Sequence, residues 1–183
     1  MSTHTYRAGF GLAFSKTRDV RLFEQMALKG YRPVALNLLG FYKFEKCEPE
    51  DVIFEADCVD LDEKSVEFEN YKELFAQSGW DFVCGKCGCY FFKAPKGATS
   101  LYTDGQSESV MWREMAKKIL PFSIVLLAFF AVFITAVLVL GIAPDDPLFW
   151  GAVAAITLSN AIMIFGVARC YYFANKALQA EKG

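Results

Sequence analysis

Residues Ile119 to Gly141, ILPFSIVLLAFFAVFITAVLVLG, carry no charge over a length that decides how the rest of the chain is arranged. A second uncharged stretch, Pro147 to Ala168, follows after only Ile142-Ala143-Pro144-Asp145-Asp146. A bilayer core about 30 Å thick needs roughly 20 apolar residues in helix, and each stretch is long enough. The pair reads as a transmembrane hairpin, helix 1 over 119–141 and helix 2 over 147–168, joined by an extracytoplasmic loop at 142–146. Arg113, Lys117 and Lys118 precede it and Arg169, Lys176 and Lys182 follow it, while the loop holds two Asp and no Lys or Arg. Positive flanks mark the cytoplasmic side, so both termini are expected there, in a multi-pass protein of the cell membrane.

Trp112, Arg113, Lys117, Lys118 and Arg169 would sit at headgroup level as interface anchors. In the second span Gly151, Ala155 and Ser159 form a stripe of small residues with Asn160 beside it. Such stripes let helices approach closely, here within the hairpin or between two hairpins of a homodimer. Neither span holds an ionisable group, so a transport pathway is not expected.

Ahead of the hairpin the expected layout is a cytoplasmic α+β domain over 1–103 and a juxtamembrane helix over 104–118, with a cytoplasmic tail over 169–183 behind it. Met1 to Lys118 contains 16 Lys plus Arg against 18 Asp plus Glu, a net of −2. That balance offers no basic surplus for direct nucleic-acid binding. The N-terminus has no apolar run of the secretory kind, so no cleaved signal peptide is expected. In a reducing compartment the six cysteines are expected as thiols or metal ligands rather than disulfides.

The domain reads as a duplication. Leu22-x-x-x-Met26-Ala27-x-x-Gly30-Tyr31-x-x-Val34 aligns with Tyr71-x-x-x-Phe75-Ala76-x-x-Gly79-Trp80-x-x-Val83, and Gly40-Phe-Tyr-Lys-Phe with Gly88-Cys-Tyr-Phe-Phe. Each copy (about 9–47 and 51–94) is a strand, a helix closed by glycine, and a hairpin. The first strands are expected near Phe10 to Phe14 and at Val52 to Val59. The helices are expected from Val20, with Thr17 or Asp19 as cap, and over Glu69 to Ser78. Two βαββ units too small to stand alone would form an antiparallel sheet with two helices on one face. Asp104 is placed to cap the helix that enters the membrane.

Phe23-Glu-Gln-Met-Ala-Leu-Lys-Gly-Tyr, Gly40-Phe-Tyr-Lys-Phe-Glu-Lys-Cys-Glu-Pro, Tyr90-Phe-Phe-Lys and Leu101-Tyr-Thr-Asp resemble, in order, the bacterial family catalogued as domain of unknown function 2812. The resemblance covers about Phe10 to Lys118. It implies a cytoplasmic domain followed by membrane helices, and PadR-type transcriptional regulators as gene neighbours. It brings no catalytic residues with it.

Cys84-Gly-Lys-Cys87-Gly-Cys89 is the sharpest chemical cluster, and it departs from the family, which has aromatic residues there. With Gly85-Lys86 as a two-residue loop, Cys84 and Cys87 would face each other across the strands. With Cys89 they would hold three positions of a tetrahedral zinc site, the fourth coming from Cys47, Cys58 or His4. Small apolar residues in a hairpin are the plainer expectation, and no cofactor is assigned. The 12 acids between Glu45 and Glu73 read as a solvated face, without the loop spacing that calcium requires. No phosphate loop, Ser/His/Asp set or HExxH occurs, and His4 alone gives no acid–base pair. The expected function is a membrane-anchored regulatory or sensor-like binding module, not an enzyme. Its expected partners are the lipid bilayer and another protein, with a PadR-type regulator as candidate. A structural subunit of a membrane complex and a zinc- or thiol-dependent enzyme are the alternatives.

Overall fold

A computed structural model describes residues 4–37, 40–86, 88–102, 104–140 and 147–180. In chain order these form β1 (His4–Ala8), α1 (Leu12–Leu28), β2 (Tyr31–Leu36), β3 (Phe41–Lys46) and β4 (Val52–Cys58). They continue as α2 (Val66–Gln77), β5 (Asp81–Lys86), β6 (Cys89–Pro95), α3 (Gly105–Leu140) and α4 (Pro147–Ala180). The fold is α+β, a duplicated βαββ unit followed by two long apolar helices.

The repeat is visible in the backbone. Both domain helices end in a glycine with left-handed φ, 76° at Gly30 and 82° at Gly79, and each glycine N–H donates back to the carbonyl three residues earlier. The strands form two three-stranded antiparallel sheets, β1-β3-β2 and β4-β6-β5. The edge strands β2 and β5 lie side by side, yet the ladder does not run through them. Each carries a register shift, between Pro33 and Ala35 and between Phe82 and Cys84, and Pro33 lacks an N–H to donate.

The first strand is β1, ahead of Phe10 to Phe14 where the sequence suggested it. Gly11 has φ 79°, and Leu12 already starts α1, which passes through a non-helical Ser15 (φ −162°, ψ 70°) before running on. Asp19 therefore lies inside the helix rather than at its cap. Ser65 caps α2, its hydroxyl accepting the Phe68 N–H at 3.1 Å.

The two helices occupy different environments. In sheet β4-β6-β5, Tyr90 and Phe92 face α2, forming a small core with Phe68 and Trp80. The opposite face, with Phe54, Cys84 and Phe91, packs on α1. Helix α1 is thus wedged between the sheets, and Phe23 meets Tyr42 and Phe44 on one side and Phe54 and Phe91 on the other, at centroid distances of 4.6–5.7 Å within this ring cluster. In the repeat alignment Phe23 corresponds to Lys72 on α2, whose outer side meets water. Among the described residues no helix packs on the back of sheet β1-β3-β2. There Phe91 and Lys93 are answered by Lys43 and Glu45, as suits a terminal unit.

Helix α3 starts where Asp104 accepts the Ser107 N–H at 2.6 Å, and it runs unbroken through Pro121 into the apolar stretch. Helix α4 returns antiparallel to it and stays helical beyond Ala168 as far as Ala180. Both helices are long and apolar enough to cross a membrane, and only 6% and 11% of their most apolar windows are buried. A core helix of a soluble protein would be mostly buried, so these are not core helices. Their domain-side ends are different: Met111, Trp112, Met115 and Ala116 of α3 and Cys170 and Ala174 of α4 belong to the same core as Phe23. The connection at 142–146, including Asp145 and Asp146, lies outside the described residues.

Candidate functional site

Gly9, Phe10 and Gly11 turn the chain from β1 into α1, and Asp19 holds that turn. It is fully buried, one carboxylate oxygen accepting the Phe10 N–H at 2.7 Å and the other the Tyr42 hydroxyl at 2.9 Å. Burial pushes the Asp19 carboxyl up, and these hydrogen bonds offset only part of the shift. Tyr42 is held well above the usual phenol range by burial and by the neighbouring carboxylate, so it stays a donor.

The fixed turn sets Leu12, Ala13 and Phe14 against the helix pair. The Phe14 ring lies on Gly166 of α4, where an added Cβ would come within 3.0 Å of two ring carbons. Beside this contact is a cleft of about 360 Å³, inside the roughly 300–1,000 Å³ range of small-molecule sites. Its walls are mainly carbon, from Leu12, Ala13, Leu36, Met115, Ile119 and Phe122. Two lysines complete the lining. Lys118 Nζ stands 3.1 Å from Asp60, whose side chain is 88% exposed, so the pair is solvated and weak. Lys86 is exposed and forms no ion pair among the described residues.

A second polar cluster closes the free edge of β4. Asp57 accepts the hydroxyls of Tyr71 at 2.6 Å and Tyr102 at 2.8 Å, and Tyr102 also donates to the Ala56 carbonyl at 2.9 Å. Lys16 of α1 pairs with Glu55 at 2.8 Å and lies 4.6 Å from the Tyr102 ring centre. Burial, then the Asp57 charge, raises both phenols, so both stay donors, Tyr71 tying α2 and Tyr102 the linker before α3 to β4. A smaller cavity of about 220 Å³ separates β2 from β5. The charges around it are already paired, Arg32 with Glu45 at 2.9 Å and Lys93 with Glu50 at 2.6 Å.

The cysteine cluster is arranged differently from the sequence expectation. Gly85 pairs with Tyr90 and Lys86 with Cys89, so the ladder runs past the expected Gly85-Lys86 turn and Cys84 stands opposite Phe91. Cys89 faces Cys58 across the β4–β6 ladder, Cα atoms 4.2 Å apart, and the two form a disulfide. The expected thiols of Cys58 and Cys89 are therefore a bridge, because the register places them directly opposite. Cys84 is buried among phenylalanines, and desolvation pushes its thiol up to about 12, which disfavours the thiolate that zinc needs. Cys87 lies outside the described residues. Among those described, no three His, Cys, Asp or Glu side chains gather as a metal site.

A model of the family described as "Protein of unknown function (DUF2812)" matches residues 15–124, more than half of the chain. The chain belongs to the DUF2812 family. No curated protein and no solved structure matches it. The DUF2812 match takes in α1 from Ser15, both hairpins and α3 as far as Ile124, and so includes Asp19, Tyr42, Lys86 and Lys118. Helix α4, with Gly166 and Arg169, lies beyond it.

Of the expected anchors in this DUF2812 protein, Arg113 and Lys117 are exposed, Lys117 pairing with Glu114 at 2.5 Å. Arg169 lays its guanidinium over Phe173 at 4.7 Å. Trp112 is turned inward, 5% exposed, stacked on Phe173 at 5.0 Å with its indole N–H donating to Glu108 at 3.2 Å. The small-residue stripe divides in the same way. Asn160 is buried in the α3–α4 seam, its amide donating to the Ile156 carbonyl at 3.0 Å, while Gly151, Ala155 and Ser159 are exposed on another face. Asp19, the Phe14–Gly166 contact and the cleft had no local signature, since each joins residues from separate elements. The one local hint was Gly166 itself, a costly residue inside a helix unless something packs on it.

Proposed function

We propose that this DUF2812 protein is a membrane-anchored regulatory module, with α3 and α4 crossing the bilayer and the α+β layer working in the cytoplasm on a protein partner. One observation carries the reading: a single core includes α1, both sheets and the ends of both apolar helices. A partner bound to the domain and a disturbance of the helices therefore act on the same packed unit, as a sensor requires. The side of the membrane rests on the Lys and Arg flanks, which act at insertion. The Cys58–Cys89 bridge weighs the other way, since lasting disulfides are rare in the cytosol. Flanking charge is the stronger guide, because two sulfurs held opposite each other follow the redox state around them.

The exposed Gly151, Ala155 and Ser159 favour a second copy pairing along α4. A PadR-type regulator is the expected partner of the domain. The test is affinity capture of the full chain from detergent-solubilised membranes after in-cell crosslinking. Repeated recovery of one regulator in proportion to the bait is expected, and repeated recovery of the bait alone would overturn the reading.

A further inference from the structure

We infer that the cleft between α1, the β2–β3 hairpin and α3 holds an acyl chain of an anionic phospholipid drawn from the adjoining leaflet. The inference rests on α3 and α4 crossing the bilayer. The cleft spans the place where the domain meets the apolar helices: Leu12, Ala13 and Leu36 wall it from the domain, Ile119, Phe122 and Met163 from the domain-side ends of the spans. Phe122 is 70% exposed, so that wall continues into the surface that hydrocarbon would cover. A water-filled recess with carbon walls at this depth is unfavourable, and a lipid chain is the apolar group available there at high concentration.

Charge selects the headgroup. Lys118 stands one turn before Phe122 on the domain side, where headgroups lie, and Lys86 joins it from the end of β5. Asp60 is the acid that meets Lys118, and its side chain is largely in solvent, so a phosphate competes with it at little cost. Lys86 has no competing acid among the described residues. A zwitterionic lipid would bring its own cation to the same lysines and lose the advantage.

The full-length protein is reconstituted in phosphatidylcholine vesicles holding a small fraction of phosphatidylglycerol with a photoactivatable acyl chain, and the labelled peptides are mapped. Labelling of Leu12 to Phe14 and of Leu36 is expected, and unlabelled phosphatidylglycerol should displace it where phosphatidylcholine does not. Each of Lys86→Ala and Lys118→Ala should lower this labelling about fivefold, as expected for one basic group near an anionic lipid. Label around Phe129 and Leu158 should be unchanged. Lys86 is exposed, so its variant keeps the test readable even if Lys118→Ala perturbs α3. Label in the spans but none in Leu12 to Phe14 or Leu36 would overturn the lipid site alone, and so would equal displacement by both lipids. No label at Phe129 and Leu158 would overturn the membrane reading on which the site depends.

Discussion

Asp19 and Phe68 hold the same place in the two repeats and solve it with opposite chemistry. Phe68 lies 4.6 Å from the Tyr90 ring, whereas Asp19 accepts the hydroxyl of the equivalent Tyr42 and also secures the Phe10 N–H. The second repeat has no turn to hold against a long apolar helix. A reader of the sequence sees Asp19 beside Thr17 and expects a cap; the decisive partner is 23 residues away. The carboxyl is raised from its ordinary 3.8, so its contribution to stability is greatest below that pH and is lost as pH rises through the raised folded value. Asp19→Asn removes the titration. Melting of the two proteins in detergent between pH 4 and 7 should therefore show the variant gaining on the wild type as pH rises, and a constant difference would refute the buried-acid account.

At the scale of elements, α3 and α4 show what periodicity can and cannot settle. Their length and apolar character were plain from the sequence, as was the cap at Asp104. Which stripe of α4 faces α3 was not, because two stripes share the helical repeat. The inward set is Val153, Ile156, Asn160 and Met163, continuing to buried Gly166, Cys170 and Ala174. The same ambiguity explains Trp112, whose place just before the apolar stretch suits an anchor but whose side faces Phe173. The seat at Gly166 is the sharpest test of how the domain is joined to the helices. Gly166→Leu should cost about 1–3 kcal/mol by displacing Phe14, while Ala161→Leu, on an exposed face, should be near neutral. Denaturant unfolding in a fixed detergent, followed by near-ultraviolet circular dichroism, measures both.

For the molecule as a whole, the repeat in the sequence led directly to the duplicated βαββ fold, because its glycines and aromatics recur at matching backbone positions. The boundary near residue 103 was less legible, since a core assembled from both sides of a linker leaves no trace in either segment alone. Residues 1–103 produced without the helices lose Met111, Trp112, Met115, Ala116, Cys170 and Ala174 from the core. Large buried residues are each worth about 2–5 kcal/mol, so the fragment should be an expanded state that binds hydrophobic dyes and gives broad amide resonances. A sharp, cooperative melt from it would contradict the shared core. The position of Cys170 and Ala174 has one more consequence, in the order of synthesis. They lie near the end of α4, beyond both apolar stretches, so the ribosome releases them last among the core residues. The core that includes Phe23 must wait for the end of α4, and a molecule whose second helix fails to fold back against the first is left with that core open.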